Sequence, residues 1–282
     1  MSISDWFFFV LTVLIGLVSG SFANVCILRI PADLSIVFPA SHCFSCGRAL
    51  LWRDNIPLLS YALLRGKCRW CAAPISPRYP FIEFLTCAAF TGIYLRFGAS
   101  LPTVVYCLLA LDLIIASGID WDHLWIPRFL TRPGTIVGLV LTTLIWFFKW
   151  PGEWIVATPW DALLGACVGG GVIYLVRLIA NWYYNKYRNY SVYKENEEDR
   201  IETMGLGDVD LMLMIGLFVG WDLALLTIFL GSLFGSLFGL ITRFYGYKLI
   251  KIPFGPYLAL GAYLCLLWGH NLIDWYLSQT SF

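Results

Sequence analysis

The chain has 282 residues, of which 59% are hydrophobic and 13% are charged, and its mean hydropathy is +0.74. A soluble domain needs far more charge to cover its surface, so this composition excludes a soluble globular protein and predicts an integral membrane protein. The formal net charge of +1 at pH 7 says little by itself. We expect the lipid bilayer as a partner, and no nucleic acid.

Eight segments are candidates for membrane-spanning helices, each of which needs about 20 mostly apolar residues. They are 6–28, 81–97, 102–119, 134–150, 159–182, 206–220, 222–242 and 254–270, of which the sixth is short. Segment 6–28 has neither a basic start nor a small-residue cleavage site, and further spans follow it. We therefore interpret it as a retained helix and not as a signal peptide. The predicted fold is an all-α polytopic membrane protein with about eight transmembrane helices.

The distribution of lysine and arginine predicts the orientation of these helices. If the first helix enters from outside, the cytoplasmic connections hold sixteen of the nineteen basic residues: seven in 29–80, two after the third span, four after the fifth and three after the seventh. The positive-inside rule then places both termini on the periplasmic side. The connection at 183–203 is polar and mixed in charge, which predicts a solvated loop without a site of its own.

The cytoplasmic insertion at 29–80 carries two Cys-x-x-Cys pairs, which predict a four-thiolate zinc site. The candidate ligands are Cys43, Cys46, Cys68 and Cys71. Disulfides are the alternative, and the reducing compartment that the orientation implies disfavours them. Four cysteines leave no open coordination position, so we expect the metal to be structural.

Asp120 ends the third span and Asp208 opens the sixth, so the predicted orientation places both at similar depth on the cytoplasmic face. Ionisable groups in membrane segments are costly, and each needs a reason. Two nearby carboxylates can share a proton. The ionised one then acts as a general base on water, while the protonated one polarises a carbonyl group. This pair favours peptide-bond hydrolysis.

Helix capping is the alternative explanation for both aspartates. It fits Asp208, at the start of a helix, but not Asp120, because an acid at a helix C-terminus opposes the helix dipole. Asp122 and Asp210 lie two residues beyond the candidates and point to roughly the opposite face, so they rank second. Asp112 lies deeper in the third span. It is either a packed, protonated acid or a residue of the substrate path, and we favour the first interpretation.

Two glycines, Gly205 and Gly207, precede Asp208 in the sequence Gly-Leu-Gly-Asp. Glycine permits unusual backbone geometry and lets a substrate strand approach closely. We therefore expect both to support the catalytic aspartate.

Five stretches, in chain order, resemble the bacterial prepilin peptidases, which are aspartic membrane proteases with a GxGD motif. They are GLVSGSFANVCILRIP (16–31), NIPLLSYALLRGKCRWCAAPISPRYPFIEFLT (55–86), IDWDHLWIP (119–127), MGLGDVDL (204–211) and IPFGPYLALGAYLCLLWG (252–269). The resemblance implies that Asp120 and Asp208 are catalytic. It implies that prepilins or type II secretion pseudopilins are the substrates, with their basic leader cut off at the cytoplasmic face of the bacterial inner membrane.

The resemblance also implies a second activity, methylation of the new N-terminal residue with S-adenosylmethionine as donor. Gly66, Lys67 and Glu83 match family motif positions and are the candidates for this activity. The predicted organisation is a first transmembrane helix (1–28), a four-cysteine domain (29–80) and a catalytic membrane domain of seven helices (81–282).

Two positions depart from the family pattern. Arg128 stands where an acidic or amide residue usually follows the proline, and Asp210 stands where a lysine usually follows the GxGD motif. If the two loops face each other, the two residues have exchanged charges.

Two other functions would also explain part of the sequence. A transporter or channel places aspartates in membrane helices to handle protons or ions, but it needs neither two acids at one depth nor a cysteine-rich insertion. A zinc-dependent assembly factor of the pilus machinery needs the metal but not the aspartates.

Overall fold

The computed structural model describes residues 3–188, 205–246 and 252–280, and throughout these ranges the chain is helical apart from its connections. The helices are α1 (Ile3–Arg29), α2 (Leu59–Leu63), α3 (Arg78–Phe97), α4 (Leu101–His123), α5 (Arg128–Phe148), α6 (Pro159–Arg188), α7 (Leu206–Phe244) and α8 (Gly255–Thr280). A 3-10 turn covers Trp52–Asn55. In the described ranges, β-pairing is limited to two isolated bridges in the cysteine-rich insertion.

Five of the described helices are long and apolar enough to cross a membrane. They are α1, α4, α5, the part of α6 from Pro159 to Tyr183, and α7. The predicted all-α polytopic membrane fold is therefore confirmed. The remaining predicted spans, at 81–97 and 254–270, coincide with the helices α3 and α8. That they too cross the bilayer stays a prediction.

The chain folds as two compact units, Met1–His123 and Leu124–Phe282. In the first, α1 packs against α3 and α4 through small residues. A Cβ atom on Gly20 would lie 2.6 Å from the Cα atom of Glu83, and one on Gly118 would lie 2.4 Å from Ile27. Both glycines therefore allow a helix approach that a larger residue would prevent.

In the second unit, α7 packs against α5, α6 and α8. A Cβ atom on Gly165 of α6 would lie 2.2 Å from the carbonyl oxygen of Gly216 in α7, so the two backbones are in contact there. The lack of a side chain at Gly165 is what allows this close approach of the two helices. The helix α7 is interrupted at Gly220, whose φ of +82° and ψ of 176° are not helical. The break separates the two predicted spans, 206–220 and 222–242.

Several predicted boundaries differ from the observed ones, among them those of α4, α5 and α6. Helix α5 begins at Arg128, whereas the predicted span began after Pro133, which lies in the second turn of the helix. Helix α4 continues to His123, so that Asp120 lies inside its last turn. Helix α6 continues to Arg188, so the predicted loop at 183–203 begins as helix. The rest of that loop lies outside the described residues.

Candidate active site and metal centre

Asp120 lies in the last turn of α4, and the residue is only 5% exposed. The preceding residue, Ile119, is fully buried. An acid used merely to satisfy a helix end would be expected at the surface. The burial of Asp120 therefore supports a specific role for this carboxyl group.

Arg78, the first residue of α3, binds the same turn of α4. Its Nη1 atom donates to Oδ2 of Asp122, and its Nη2 atom donates to the carbonyl oxygen of Gly118 at 3.1 Å. The positive guanidinium group thus lies at a helix C-terminus, where a cation is stabilising. It offsets the unfavourable placement of acids in this turn. Asp122 is paired with Arg78, which agrees with the lower priority given to Asp122 than to Asp120 as a catalytic candidate.

Asp208 is the third residue of α7 and is half-buried. The residue before it, Gly207, packs against the segment that leads into α5. A Cβ atom on Gly207 would lie 2.9 Å from the Cβ atom of Ile126, 3.1 Å from its carbonyl oxygen and 3.2 Å from its amide nitrogen. The absence of a side chain at Gly207 therefore lets this segment lie directly against the turn that carries Asp208.

The two glycines of the motif differ, and neither adopts unusual backbone geometry. Gly205 precedes the helix with φ −69° and ψ 154°, which any residue can adopt, and Gly207 is helical. Among the described residues, a Cβ atom on Gly205 would meet only the amide nitrogen of Gly207, at 3.7 Å. The expectation of special backbone geometry is therefore wrong. Gly207 is needed for packing, whereas no described atom would crowd a side chain at Gly205.

The hypothesis that Arg128 faces Asp210 is confirmed. The Nε atom of Arg128 lies 3.2 Å from Oδ2 of Asp210. This oxygen is buried, and its contact with the guanidinium group does not have hydrogen-bond geometry. We therefore treat the contact as a charge–charge interaction without an aligned hydrogen bond.

Asp112 lies two turns before Asp120 in α4. Its Oδ2 atom is buried and has no hydrogen-bond partner in the part of the chain that the structure describes. An ionised carboxylate is strongly disfavoured without such partners. This fits the interpretation of Asp112 as a packed, protonated acid, outside the catalytic set.

The four cysteines of the insertion come together as predicted. The sulfur atoms of Cys43, Cys46, Cys68 and Cys71 lie within 4.8 Å of one another. Those of Cys43 and Cys71 are 3.8 Å apart and unbonded. A tetrahedron with Zn–S bonds of about 2.3 Å has sulfur atoms about 3.8 Å apart. The donor set therefore fits a tetrahedral thiolate metal ion.

The two Cys-x-x-Cys segments have the same backbone hydrogen bonds. The amide of Gly47 donates to the carbonyl of Cys43 at 2.8 Å, and that of Ala72 donates to the carbonyl of Cys68 at 3.0 Å. Gly47 and Ala72 both have positive φ, +69° and +56°. The two turns are therefore structurally equivalent, and each presents two sulfur atoms to a common centre.

Two side-chain contacts between distant parts of the sequence hold the insertion together. Nε of Arg69 donates to both carboxylate oxygens of Asp54, at 2.9 and 3.0 Å. Arg69 holds the pKa of this buried carboxyl group below its usual range. The guanidinium group of Arg48 stacks over the ring of Trp70 at 5.2 Å. Neither contact can be predicted from the spacing of these residues in the sequence.

A cavity of about 380 Å³ lies between the insertion and the helices α1 and α3. Glu83 of α3 lines it and is 9% exposed. Its carboxylate accepts a hydrogen bond from the amide of Leu58 at 2.8 Å and another from the hydroxyl group of Ser21. Tyr61 also lines the cavity. Glu83 therefore links both helices to the insertion at the cavity wall.

The other two methyltransferase candidates do not share the position of Glu83. Gly66 has φ of +68°, and a Cβ atom there would lie 3.0 Å from the hydroxyl oxygen of Tyr61. Gly66 therefore packs against the side chain of Tyr61, which lines the cavity. Lys67 is exposed.

Comparison with known proteins identifies relatives over nearly the whole chain. Residues 14–97 match the Bacterial Peptidase A24 N-terminal domain, and residues 107–240 match the Type IV leader peptidase family. No solved structure matches the chain.

Similar proteins include two named prepilin leader peptidase/N-methyltransferase. The protein of Aeromonas hydrophila is 32% identical over 97% of this chain and 95% of its own length. The protein of Pseudomonas aeruginosa is 33% identical over 98% of this chain and 95% of its own length. A protein of Escherichia coli O78:H11 is 35% identical over 87% of this chain and 88% of its own length. It is named type 4 prepilin-like proteins leader peptide-processing enzyme. With such identity over almost the full length, the chain belongs to the type IV leader peptidase family.

Proposed function

We propose that this protein is an aspartic endopeptidase that removes the leader from prepilins or pseudopilins, with Asp120 and Asp208 as the catalytic residues. The observation that carries the proposal is the placement of the two carboxyl groups in a member of this family. Asp120 is buried in the last turn of α4, and Asp208 lies in the first turn of α7. The names of the relatives supply the substrate class.

In the proposed reaction, one carboxylate accepts a proton from water, and the water attacks the scissile carbonyl carbon. The other carboxyl group is protonated and donates a hydrogen bond to the carbonyl oxygen. Collapse of the tetrahedral intermediate breaks the C–N bond, and the carboxyl group that accepted the proton of water passes it to the departing amine. The hydrophobic helix of the substrate lies in the bilayer and holds the cut site at the membrane face.

The location that we propose is the bacterial inner membrane, with the catalytic residues on the cytoplasmic side and both termini on the periplasmic side. Its support is the excess of basic residues in alternate connections of the sequence. In this orientation a basic leader on the cytoplasmic side reaches the aspartates directly.

Cleavage of a synthetic prepilin by the purified protein tests the catalytic roles. We expect Asp120→Asn and Asp208→Asn to abolish cleavage. Asp112→Asn is the matched control, since it keeps the shape of a protonated acid in the same helix as Asp120, and it should cleave normally. Cleavage by either of the first two variants would remove the protease assignment. It would favour a transporter or an assembly factor instead.

We also propose that the cavity beside Glu83 is the site of N-methylation. Its volume of about 380 Å³ lies within the range of about 300–1,000 Å³ typical of small-molecule sites. S-adenosylmethionine would supply the methyl group for the new N-terminal amine. Glu83 is the buried carboxylate of the wall, and it would hold the amine and accept the proton that the amine loses on methylation.

Mass spectrometry of the cleaved product tests this site. We expect Glu83→Gln to yield product without the added methyl group, while cleavage is retained. Lys67→Ala serves as the comparison, because the Lys67 side chain is exposed. A greater loss of methylation in Lys67→Ala than in Glu83→Gln would place the methylation site outside the cavity.

Finally, we propose that the four cysteines bind one structural zinc ion, supported by the fit of their sulfur atoms to a tetrahedron. Metal analysis of the purified protein should find one zinc ion per chain and none in Cys68→Ser. Cys167→Ser, at an exposed cysteine outside the cluster, should retain the ion. An intact metal content in Cys68→Ser would contradict the assignment.

A further inference from the structure

Each candidate catalytic aspartate is followed, two residues later, by a second aspartate with an arginine partner. Asp122 follows Asp120 and pairs with Arg78, while Asp210 follows Asp208 and pairs with Arg128. Each arginine is the first residue of a neighbouring helix, α3 in one case and α5 in the other. The same arrangement therefore occurs once in each of the two compact units.

In the first unit, the guanidinium group of Arg78 spans the turn that carries Asp120. It donates to the carbonyl oxygen of Gly118, two residues before Asp120, and to the carboxylate of Asp122, two residues after it. The two contacts hold the backbone of α4 on both sides of the buried Asp120. They link this turn to the start of α3.

In the second unit, the segment 126–128 holds the turn that carries Asp208. Ile126 lies against Gly207, immediately before the aspartate, and Arg128 lies 3.2 Å from Asp210, two residues after it. Asp208 again lies between two contacts to one neighbouring segment. The orientation of its backbone is thus set by the start of α5.

We infer that Arg78 and Arg128 are positioning residues, which hold the turns of Asp120 and Asp208 through the ion pairs with Asp122 and Asp210. The inference rests on the proposed function. The side chains of Arg128 and Asp210 are 47% and 23% exposed, and those of Arg78 and Asp122 are 33% and 29% exposed. Ion pairs this exposed contribute little to global stability. Reaction rates, in contrast, depend steeply on the position of a catalytic group.

Charge reversal in the full-length enzyme tests the inference. We expect Arg128→Asp and Asp210→Lys each to lower kcat for prepilin cleavage at least about tenfold with little change in KM, because a displaced carboxylate costs rate. The double variant restores the pair with reversed charges and should return to within about threefold of the native kcat. Arg78→Asp and Asp122→Arg form the corresponding cycle for Asp120. Arg128→Lys, which keeps the charge, should retain most of the activity.

The matched control is Arg132→Asp, an exposed arginine one turn further along α5, which should cleave normally. A purely structural role predicts lower thermal stability and less folded enzyme with unchanged kinetics in the folded fraction. Losses that multiply in the double variants, or single variants that cleave like the native enzyme, would overturn the inference.

Hydrogen–deuterium exchange separates this inference from the proposed function. The single variants should exchange faster in the peptides around Asp120 and Asp208, and the double variants should return to the native rate. If Asp208→Asn still cleaved, the proposed function would fail, but the exchange rates would still decide whether the ion pairs hold these turns. Unchanged exchange in the single variants would contradict the inference whatever the activity.

Discussion

Replacing Gly207 by alanine tests how closely the segment before α5 must lie against the turn of Asp208. The new Cβ atom would lie 2.9 Å from the Cβ atom of Ile126, 3.1 Å from its carbonyl oxygen and 3.2 Å from its amide nitrogen. Carbon atoms in contact prefer separations of about 3.5–4.0 Å, so one segment must move by roughly 0.5–1 Å. No side-chain rotation relieves the clash, because these atoms belong to the backbone or to Cβ.

A shift of about 1 Å at a catalytic group costs roughly 100-fold in rate. We therefore expect Gly207→Ala to lower kcat about 10- to 100-fold. Global stability should change less. Overpacking costs about 1–3 kcal/mol, and alanine offsets up to about 1 kcal/mol of this because it favours the helix more than glycine does.

The assay is steady-state cleavage of a synthetic prepilin by purified enzyme, with thermal unfolding measured in parallel. Gly205→Ala is the matched control within the same motif, because its Cβ atom would meet only the amide nitrogen of Gly207 among the described residues. Its kcat should stay within about twofold of the native value, as for substitutions that disturb no packing, and any loss should appear in KM. The reasoning is refuted if Gly207→Ala keeps the native kcat, or if Gly205→Ala loses as much as Gly207→Ala.

Three further predictions concern the scaffold. Gly165→Ala would place a Cβ atom 2.2 Å from the carbonyl oxygen of Gly216, so thermal unfolding should show a loss of at least about 1–3 kcal/mol, whereas Gly171→Ala, with no described atom within 4 Å, should not destabilise. In the equivalent cysteine turns, both Gly47 and Ala72 have positive φ, which glycine adopts more readily than alanine. Gly47→Ala should therefore destabilise the insertion by about 1 kcal/mol, whereas Ala72→Gly should not. Limited proteolysis of the zinc-loaded enzyme measures the difference. Arg69 lowers the pKa of Asp54 below its value of 3.8 in the unfolded chain, so this pair contributes stability that is complete above pH 3.8 and is lost as the pH falls through the folded-state pKa. The stability difference between native protein and Asp54→Asn should therefore shrink on acidification, and a difference that grows would contradict this sign.

The hydrophobic pattern and short-range spacing were sufficient to predict much of the fold. All predicted spans coincide with helices, and the break at Gly220 falls between the two spans predicted at 206–220 and 222–242. The two Cys-x-x-Cys pairs were equally informative, because each needs only a tight local turn to present its sulfur atoms. A departure from the family pattern at Arg128 and Asp210 pointed to a contact that the structure contains.

Other features depend on contacts between residues far apart in the sequence, and no local pattern predicts them. Arg78 and Asp122 belong to different helices, and Asp54 and Arg69 to different turns of the insertion. The two glycines before Asp208 look equivalent in the sequence. In the folded chain they differ, because Ile126 lies against Gly207 and not against Gly205. The helix limits near Pro133 and Asp120 were also missed, because packing extends helices beyond their most apolar stretch.

The pairing of each arginine with its own aspartate has a chemical consequence for the proposed reaction. A carboxylate that must exchange a proton with its partner during catalysis would be held in the ionised form by an unpaired arginine beside it. Here Asp122 balances the charge of Arg78, and Asp210 balances that of Arg128. Each arginine can therefore fix the turn that carries a proposed catalytic aspartate without leaving a net positive charge there. An acid two residues after each proposed catalytic aspartate is thus compatible with the proposed chemistry.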